Sequence, residues 1–247
     1  MVACEYLRME GERSPAGITR VQAANPSPMT LDGTNTYLAA GWVVDPGPED
    51  PEHVDAVLTA ASGPIEGIVL THGHADHSGA AEALARRAGG LEVAQPAGGE
   101  RVGPFEVLAT PGHSPDSVCL LLEKACFTGD TVLGQGSVFI APGDGSLSAY
   151  LASLERLREL DLEVLCPGHG PFVWDPRAKL TEYINHRRER ERKLLAALDA
   201  GAHSEGELLD AAWDDVPPQL RPAAAVTLAA HLEKLADEGR LPDGVEP

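Results

Sequence analysis

Short stretches of alternating or continuous apolar residues, broken by glycine, proline and acidic residues, fill the first two thirds of the chain. Residues 17–21, 35–39 and 42–45 read as early strands, and Gly41 suits the tight turn between the last two. Residues 51–61 predict a helix opened by Asp50 and Pro51, because aspartate caps a first turn and proline lacks the amide hydrogen that this position leaves unused. The apolar run 67–71 predicts a buried strand, and the alanine-rich segment 78–88, with Leu84 on one face, predicts a helix soon after it. Further strands are expected at 91–94, 105–109, 117–122 and 125–127, a helix with periodic leucines at 147–160, and a last short strand at 162–166. No internal repeat or low-complexity tract interrupts this order.

The pattern changes after Trp174. A long helix over about 176–198 is followed by Gly201 and by shorter helical pieces at 205–213, near 217–220 and at 223–237. The last has Val226, Ala229, Leu232, Leu235 and Ala236 at helical spacing, and Gly239 ends it. Three helices and a short tail suit a small winged-helix module; a plain helical appendage fits the pattern equally well. The division predicted is 1–175 for one domain and 176–247 for the other.

Composition narrows the picture. The formal net charge is −19 over 247 residues, which on average repels nucleic acid. Between Arg177 and Lys193, however, seven basic residues stand against three acids, so the remaining chain is more acidic than the total. Arg187 with Glu191 and Glu189 with Lys193 are spaced as i, i+4 pairs on a solvated helix face. No apolar run is long enough to span a bilayer, and the first 17 residues lack the apolar core of a secretory signal, so a cytoplasmic location is expected. Cys4, Cys119, Cys126 and Cys166 show no zinc-finger spacing and are expected to be reduced, mostly buried thiols; Cys166 lies three residues before a histidine.

The chemistry concentrates at residues 70–79, LTHGHADHSG. Three of the nine histidines and a carboxylate fall within six residues there. On a strand end, His72 and His74 would point to one side, because strand side chains repeat every two residues. Asp76 and His77 follow in the turn that opens the next helix, where an aspartate most commonly serves as a cap. Further metal-type side chains follow later predicted strands: His113 in TPGHS, Asp130 in FTGD and His169 in CPGHG. Each is weak evidence alone, and together they are strong.

This ordered set, from His72-x-His74-x-Asp76-His77 to His113, Asp130 and His169, resembles the metallo-β-lactamase superfamily over about residues 17–175. Residues 25–38 (NPSPMTLDGTNTYL), 133–136 and 167–187 are similar to the β-lactamase-like protein 2 group within it, which carries a C-terminal winged-helix-like extension. The resemblance implies an αββα four-layer α/β sandwich with a C-terminal winged-helix-like domain. It implies two Zn²⁺ ions per chain, one held by His72, His74 and His113, the other by Asp76, His77 and His169, with Asp130 bridging; iron or manganese would fit the same donors. A metal-bridging hydroxide would be the nucleophile, with Asp130 setting the metal spacing and Asp76 orienting the attack. No G-x-S-x-G elbow competes with that scheme, and no leaving-group acid is evident.

Asn35, Thr36 and Tyr37 read first as a turn entering a strand, and only second as substrate-facing groups. Ser114 and Thr131 adjoin ligand positions. The glycine-rich run 134–145 is expected over the site, with Asp144 turning the chain or capping the next helix. The expected substrate is a small ester or thioester. The alternative, implied by the β-lactamase-like protein 2 group, is single-stranded RNA, with phosphates held by the basic helix. Residues 91–113 offer no evident aromatic platform for bases. A DNA-reading winged helix is disfavoured, since 205–240 carries only Arg221, Lys234 and Arg240 as cations. The oligomeric state is open between monomer and dimer.

Overall fold

Among the described residues, 13–242 and 244–246, the computed structural model has ten strands and seven α-helices distributed over two compact units. Cys4 and the first 12 residues lie outside the described part. The first unit takes residues up to 110, with 116–137 and 161–176; the second takes 111–115, 138–160 and the chain from 177 onward.

In the first unit, β1 (Ile18–Gln22), β2 (Asn35–Ala39), β3 (Trp42–Val44), β4 (Gly67–Val69) and β5 (Val93–Ala94) form one sheet in sequence order. Ala40 and Gly41 both have positive φ (49° and 80°), the conformation a two-residue hairpin needs between right-twisted strands, and this joins β2 to β3. β3, β4 and β5 run parallel. Helices α1 (Pro51–Ala60) and α3 (Ala81–Arg87) bury Val54, Val57, Leu84 and Ala85 against Val43 and Ile68 of this sheet. The Asp50 carboxylate accepts from the Glu52 amide and Pro51 opens α1, as the sequence leads one to expect. The alanine-rich segment forms two helices, the single turn α2 (Ala75–Ser78) and α3, because Gly79 and Ala80 tuck against the loop at 47–49.

The second sheet is β10 (Val164–Pro167), β9 (Ala125–Gly129), β8 (Val118–Leu122), β7 (Phe105–Ala109) and β6 (Arg101–Val102) in spatial order. β6 has no apolar alternation of its own to announce it; it exists because Val102 pairs with Phe105 across a turn. β9 and β10 run parallel. The two sheets share one core, in which Tyr37, Val44 and Val69 meet Phe105, Leu120, Phe127 and Cys166. Cys166 is therefore a core thiol, and burial pushes its pKa up.

The second unit contains α4 (Leu147–Arg158), α5 (Pro176–Asp199), α6 (Glu205–Ala212), a 3₁₀ turn (Pro218–Leu220) and α7 (Arg221–Asp237). Leu194, Leu198, Leu208, Leu209, Trp213, Leu228, Leu232 and Leu235 form its core. Ser146, not Asp144, caps α4, its hydroxyl accepting from the Ala149 amide. A reciprocal capping box between Ser204 and Glu207 starts α6.

The basic helix departs from its sequence reading. Arg187 and Arg190 are buried rather than solvated, and several charges of this helix find partners beyond it, while Arg192 pairs with Glu189 and Lys179 with Glu182 within it. Arg187 donates to the Val138 carbonyl, and Arg190 makes a two-pronged pair with Asp215 at 2.6 and 3.0 Å. Glu191 takes Lys234 at 2.6 Å and Arg240 at 3.0 Å, while Lys193 reaches Asp214 at 2.8 Å. Helix spacing predicts neighbours on one helix; for Arg190, Glu191 and Lys193 the second unit instead supplies oppositely charged partners from α7, from Arg240 beyond it and from the segment after α6.

Candidate metal centre

The functional side chains of the first unit all leave the C-terminal ends of parallel strands. Asp45 follows β3, His72 to His77 follow β4, Asp130 follows β9 and His169 follows β10. Parallel pairing brings those ends together: Val44 lies opposite Val69, and Gly129 opposite Pro167 after a register shift between Cys166 and Pro167. Open sheets place their binding sites at such ends.

β4 stops at Val69, so His72 and His74 sit in the loop beyond it rather than on the strand. Strand alternation is thus not what aligns them. Their rings still meet, with Nε2 of His72 3.1 Å from Nδ1 of His74. Gly73 between them donates its amide to the Asp116 carboxylate at 2.9 Å, and Gln95 donates to the same oxygen at 3.0 Å. Asp76 does not cap α2; it lies inside that turn, and its carboxylate points toward His169 and His77.

Four side chains from distant parts of the chain converge there. Nε2 of His77 is 3.3 Å from Nε2 of His169, 3.5 Å from Oδ2 of Asp76 and 3.4 Å from Oδ1 of Asp130. Nε2 of His169 is 3.3 Å from each of the same two carboxylate oxygens. A tetrahedral Zn²⁺ with ligands about 2.0–2.1 Å away holds them about 3.3–3.4 Å from one another. The donor spacing therefore fits such an ion. Gly168 is needed for this closeness, since a Cβ there would fall 2.5 Å from the His77 ring and 2.7 Å from Oδ1 of Asp130.

The far nitrogens of His72, His77, His113 and His169 are anchored. Oδ2 of Asp45 accepts from Nδ1 of His77 at 3.0 Å and from the Thr71 hydroxyl at 2.7 Å, while its other oxygen takes the Thr71 amide at 2.7 Å. Because the Thr71 hydroxyl proton goes to Asp45, its oxygen accepts from Nδ1 of His72 at 3.0 Å. The Gly33 carbonyl stands 3.3 Å from Nδ1 of His169. His113, in the loop 111–115 of the second unit, directs Nδ1 to the Phe139 carbonyl at 2.8 Å. A carbonyl only accepts, so Nδ1 carries the proton and Nε2 keeps its lone pair. Asp45 belongs to this network and is absent from the sequence-derived set; the signal for it was the carboxylate closing the apolar run WVVD. Asp45, His72 and His77 also lie close enough to hold an ion, but Asp45 is committed to the three donors just named.

Burial opposes charge on Asp76, Asp130, His77 and His169, and their mutual attraction overcomes it. For Asp76, burial acts upward, yet the His169 hydrogen bond and the His77 charge bring its pKa to about 2. For Asp130, burial again acts upward, and His77 and His169 hold it well below the carboxylate range. Burial lowers His169 and His77, but the hydrogen bonds His169 donates to Asp130 and Asp76 raise it to about 9, and the Asp130 charge raises His77 well above its ordinary value. A site that stabilises two imidazolium charges this way presents the negative potential a divalent cation requires.

Asn35, Thr36 and Tyr37 are buried strand residues with structural bonds. The Asn35 amide donates to the Pro167 and Gly170 carbonyls, the Thr36 hydroxyl to the Asp45 carbonyl, and the Tyr37 hydroxyl to the Pro167 carbonyl. Thr131 bonds with Thr110, and Ser114 is buried.

The family model of the metallo-beta-lactamase superfamily matches residues 29–97 and 91–169, and that of the beta-lactamase associated winged helix domain matches 204–242. A beta-lactamase-like protein 2 homolog of Drosophila melanogaster is 30% identical, covering 93% of this chain and 91% of its own length. An atrochrysone carboxyl ACP thioesterase of Aspergillus chevalieri is 32% identical, over 78% of this chain and 72% of its own. Among solved structures, a metallo-beta-lactamase family protein of Thermus thermophilus superposes with a TM-score of 0.69 at 25% identity, covering 90% of this chain and 94% of the other.

Proposed function

The chain belongs to the metallo-beta-lactamase superfamily, whose members are generally hydrolytic, and from that premise we propose that it is a dinuclear zinc hydrolase of a small ester or thioester. The observation that supports this most is the convergence of His77, His169, Asp76 and Asp130 at tetrahedral ligand spacing. In this reading His72, His74 and His113 would hold one ion, Asp76, His77 and His169 would hold the other, and Asp130 would serve both. When bound, the two ions supply an acidified water and positive charge for the oxyanion of the transition state. The protein does the rest. Asp45, Thr71 and Gly33 keep the ligand rings in the tautomer that presents Nε2. Asp76, ionised with a pKa of about 2, accepts a hydrogen bond from the attacking water and orients it.

Residues 1–175 would carry catalysis and 176–247 an accessory role. The acyl class is supported by the thioesterase name of one relative and by the cations of α5, several of which are engaged by acids or carbonyls of their own unit. An RNA strand would need those cations for its phosphates.

The test is a panel of acyl-CoA-type thioesters, lactoylglutathione, nitrocefin and labelled single-stranded RNA, offered to the metal-loaded chain and to Asp130→Ala. Thioester turnover that Asp130→Ala abolishes is the expected result. RNA cleavage lost in that variant, with thioesters untouched, overturns the acyl reading in favour of a nuclease. Metal analysis of the loaded chain should give two ions per chain, and less than about one would remove the dinuclear centre.

A further inference from the structure

The loop between β1 and β2 ends in Gly33 and Thr34, Asn35 opens β2, and these three residues reach the second ligand set from outside. Gly33 meets His169 through its carbonyl. The Asn35 amide hydrogen goes to the Gly168 carbonyl at 2.7 Å, and its side chain holds the carbonyls of Pro167 and Gly170, so Asn35 pins both flanks of His169. Thr34, fully buried, stands with its hydroxyl oxygen 3.3 Å from Oδ2 of Asp76.

The direction of that last bond follows from Asn25. The Thr34 amide donates to Oδ1 of Asn25 at 2.9 Å, which fixes which end of the Asn25 side chain is oxygen. The other end is therefore the NH₂ group, and it donates to the Thr34 hydroxyl oxygen at 2.9 Å. The hydroxyl cannot return its proton to a donor. Its proton is left for Asp76, whose carboxylate can only accept. At 3.3 Å the bond is long for a hydroxyl and a carboxylate, so it acts on orientation more than on strength.

We propose that Thr34, its proton aimed by Asn25, is a positioning residue that fixes Asp76 as a ligand and so tightens the binding of the second metal. The proposal rests on the two-metal reading above. A mobile Asp76 would lose rotamer freedom only on meeting the second ion; a Thr34-held Asp76 has lost it beforehand, and the second ion binds more tightly. The first set, His72, His74 and His113, takes nothing from Thr34 in this scheme.

Three variants separate the hydroxyl from the space it fills. Thr34→Val keeps the volume and removes the proton. Thr34→Ser keeps the proton. Asn25→Asp keeps the acceptor for the Thr34 amide but replaces the donor with a second acceptor, which draws the hydroxyl proton away from Asp76. Each is titrated with Zn²⁺ against a chelating dye, and with Co²⁺ followed by its visible spectrum. Thr34→Val and Asn25→Asp should weaken the second ion about tenfold, the low end for groups that support a ligand, and Thr34→Ser should bind it as the wild type does. Equal weakening in Thr34→Val and Thr34→Ser overturns the proposal, because packing would then be responsible. A Thr34→Val chain that binds two ions with wild-type affinity overturns it alone. A wild-type chain that binds only one ion overturns the two-metal reading and the proposal with it.

Discussion

Two polar clusters in this protein use charged side chains to opposite ends. In the first unit, His77, His169, Asp76 and Asp130 turn their terminal atoms toward one point, and Asp45, Thr71 and Gly33 hold the rings from behind. In the second, Arg190 closes on Asp215 and the Ala212 carbonyl, and Lys234 closes on Glu191 and Glu238. The first cluster has charges that share a common focus; the second has charges that meet in pairs. A focus can bind something, whereas a closed pair is scaffold. Counting acids and bases would rank the basic helix as the more obvious ligand surface, and the geometry reverses that ranking.

The sharpest way to break this contrast is Asp130→Ala. It should lower hydrolysis by more than about 100-fold, beyond the range seen for supporting groups, and reduce bound metal below two per chain, measured by steady-state kinetics and metal analysis. Unchanged metal content in that variant would mean that the focus is not the metal site. Asp45→Asn is the next test. It keeps an acceptor for Thr71 but loses the charge behind His77, so zinc affinity should fall by about 10–100-fold in a dye competition while the fold is retained by circular dichroism.

The histidines of the two regions should also titrate with opposite sign. In chain stripped by a chelator, His169 has its pKa raised to about 9, so the stability it adds is complete below about 6.5 and disappears as pH rises through 9. Zinc binding near pH 7 should then release protons, seen as a buffer-dependent heat in calorimetry. His231 of α7 is the reverse case. It is fully buried against Trp213, neither ring nitrogen has a hydrogen-bond partner among the described residues, and the charges of Arg187, Lys234, His186 and Arg190 act on it. Burial, then those cations, lower its pKa to about 3. The unfolded chain therefore binds the proton first, and stability should fall from about pH 6.5 toward 3, by at most about 1.4 kcal/mol per pH unit. Urea unfolding of His231→Leu should lose that acid arm and keep the alkaline one; an unchanged acid arm would exclude His231 as its source. The smallest effect is expected from Arg221→Ala, which removes a surface pair with Asp210 and should cost no more than about 0.5 kcal/mol in the same assay, with metal binding unchanged.

Much of the fold was legible beforehand because its signals are local. Apolar alternation locates β2, β7 and β8 to within a residue, and Asp50-Pro51 marks the start of α1. Signals failed where the cause lay elsewhere in the chain. β6 forms because β7 is there to pair with it, and α5 buries two arginines because partners arrive from Val138 and Asp215. Neither Asp45 nor Thr34 stands out in the sequence, for the same reason. Each is an ordinary residue at a strand boundary until His77 and Asp76 stand beside it.

The sequence by itself determined which donors this protein owns: histidines and carboxylates at the ends of short apolar strands, in an order that marks the metallo-beta-lactamase superfamily. Only the tertiary structure decided which atoms of those donors meet. His77 and His169 are 92 positions apart, and their nitrogens come within 3.3 Å because β3 pairs with β4 and β9 with β10 in parallel, so loops distant in the chain leave one edge together. Periodicity reports what a residue does on its own element; convergence depends on register between elements, which no local pattern encodes.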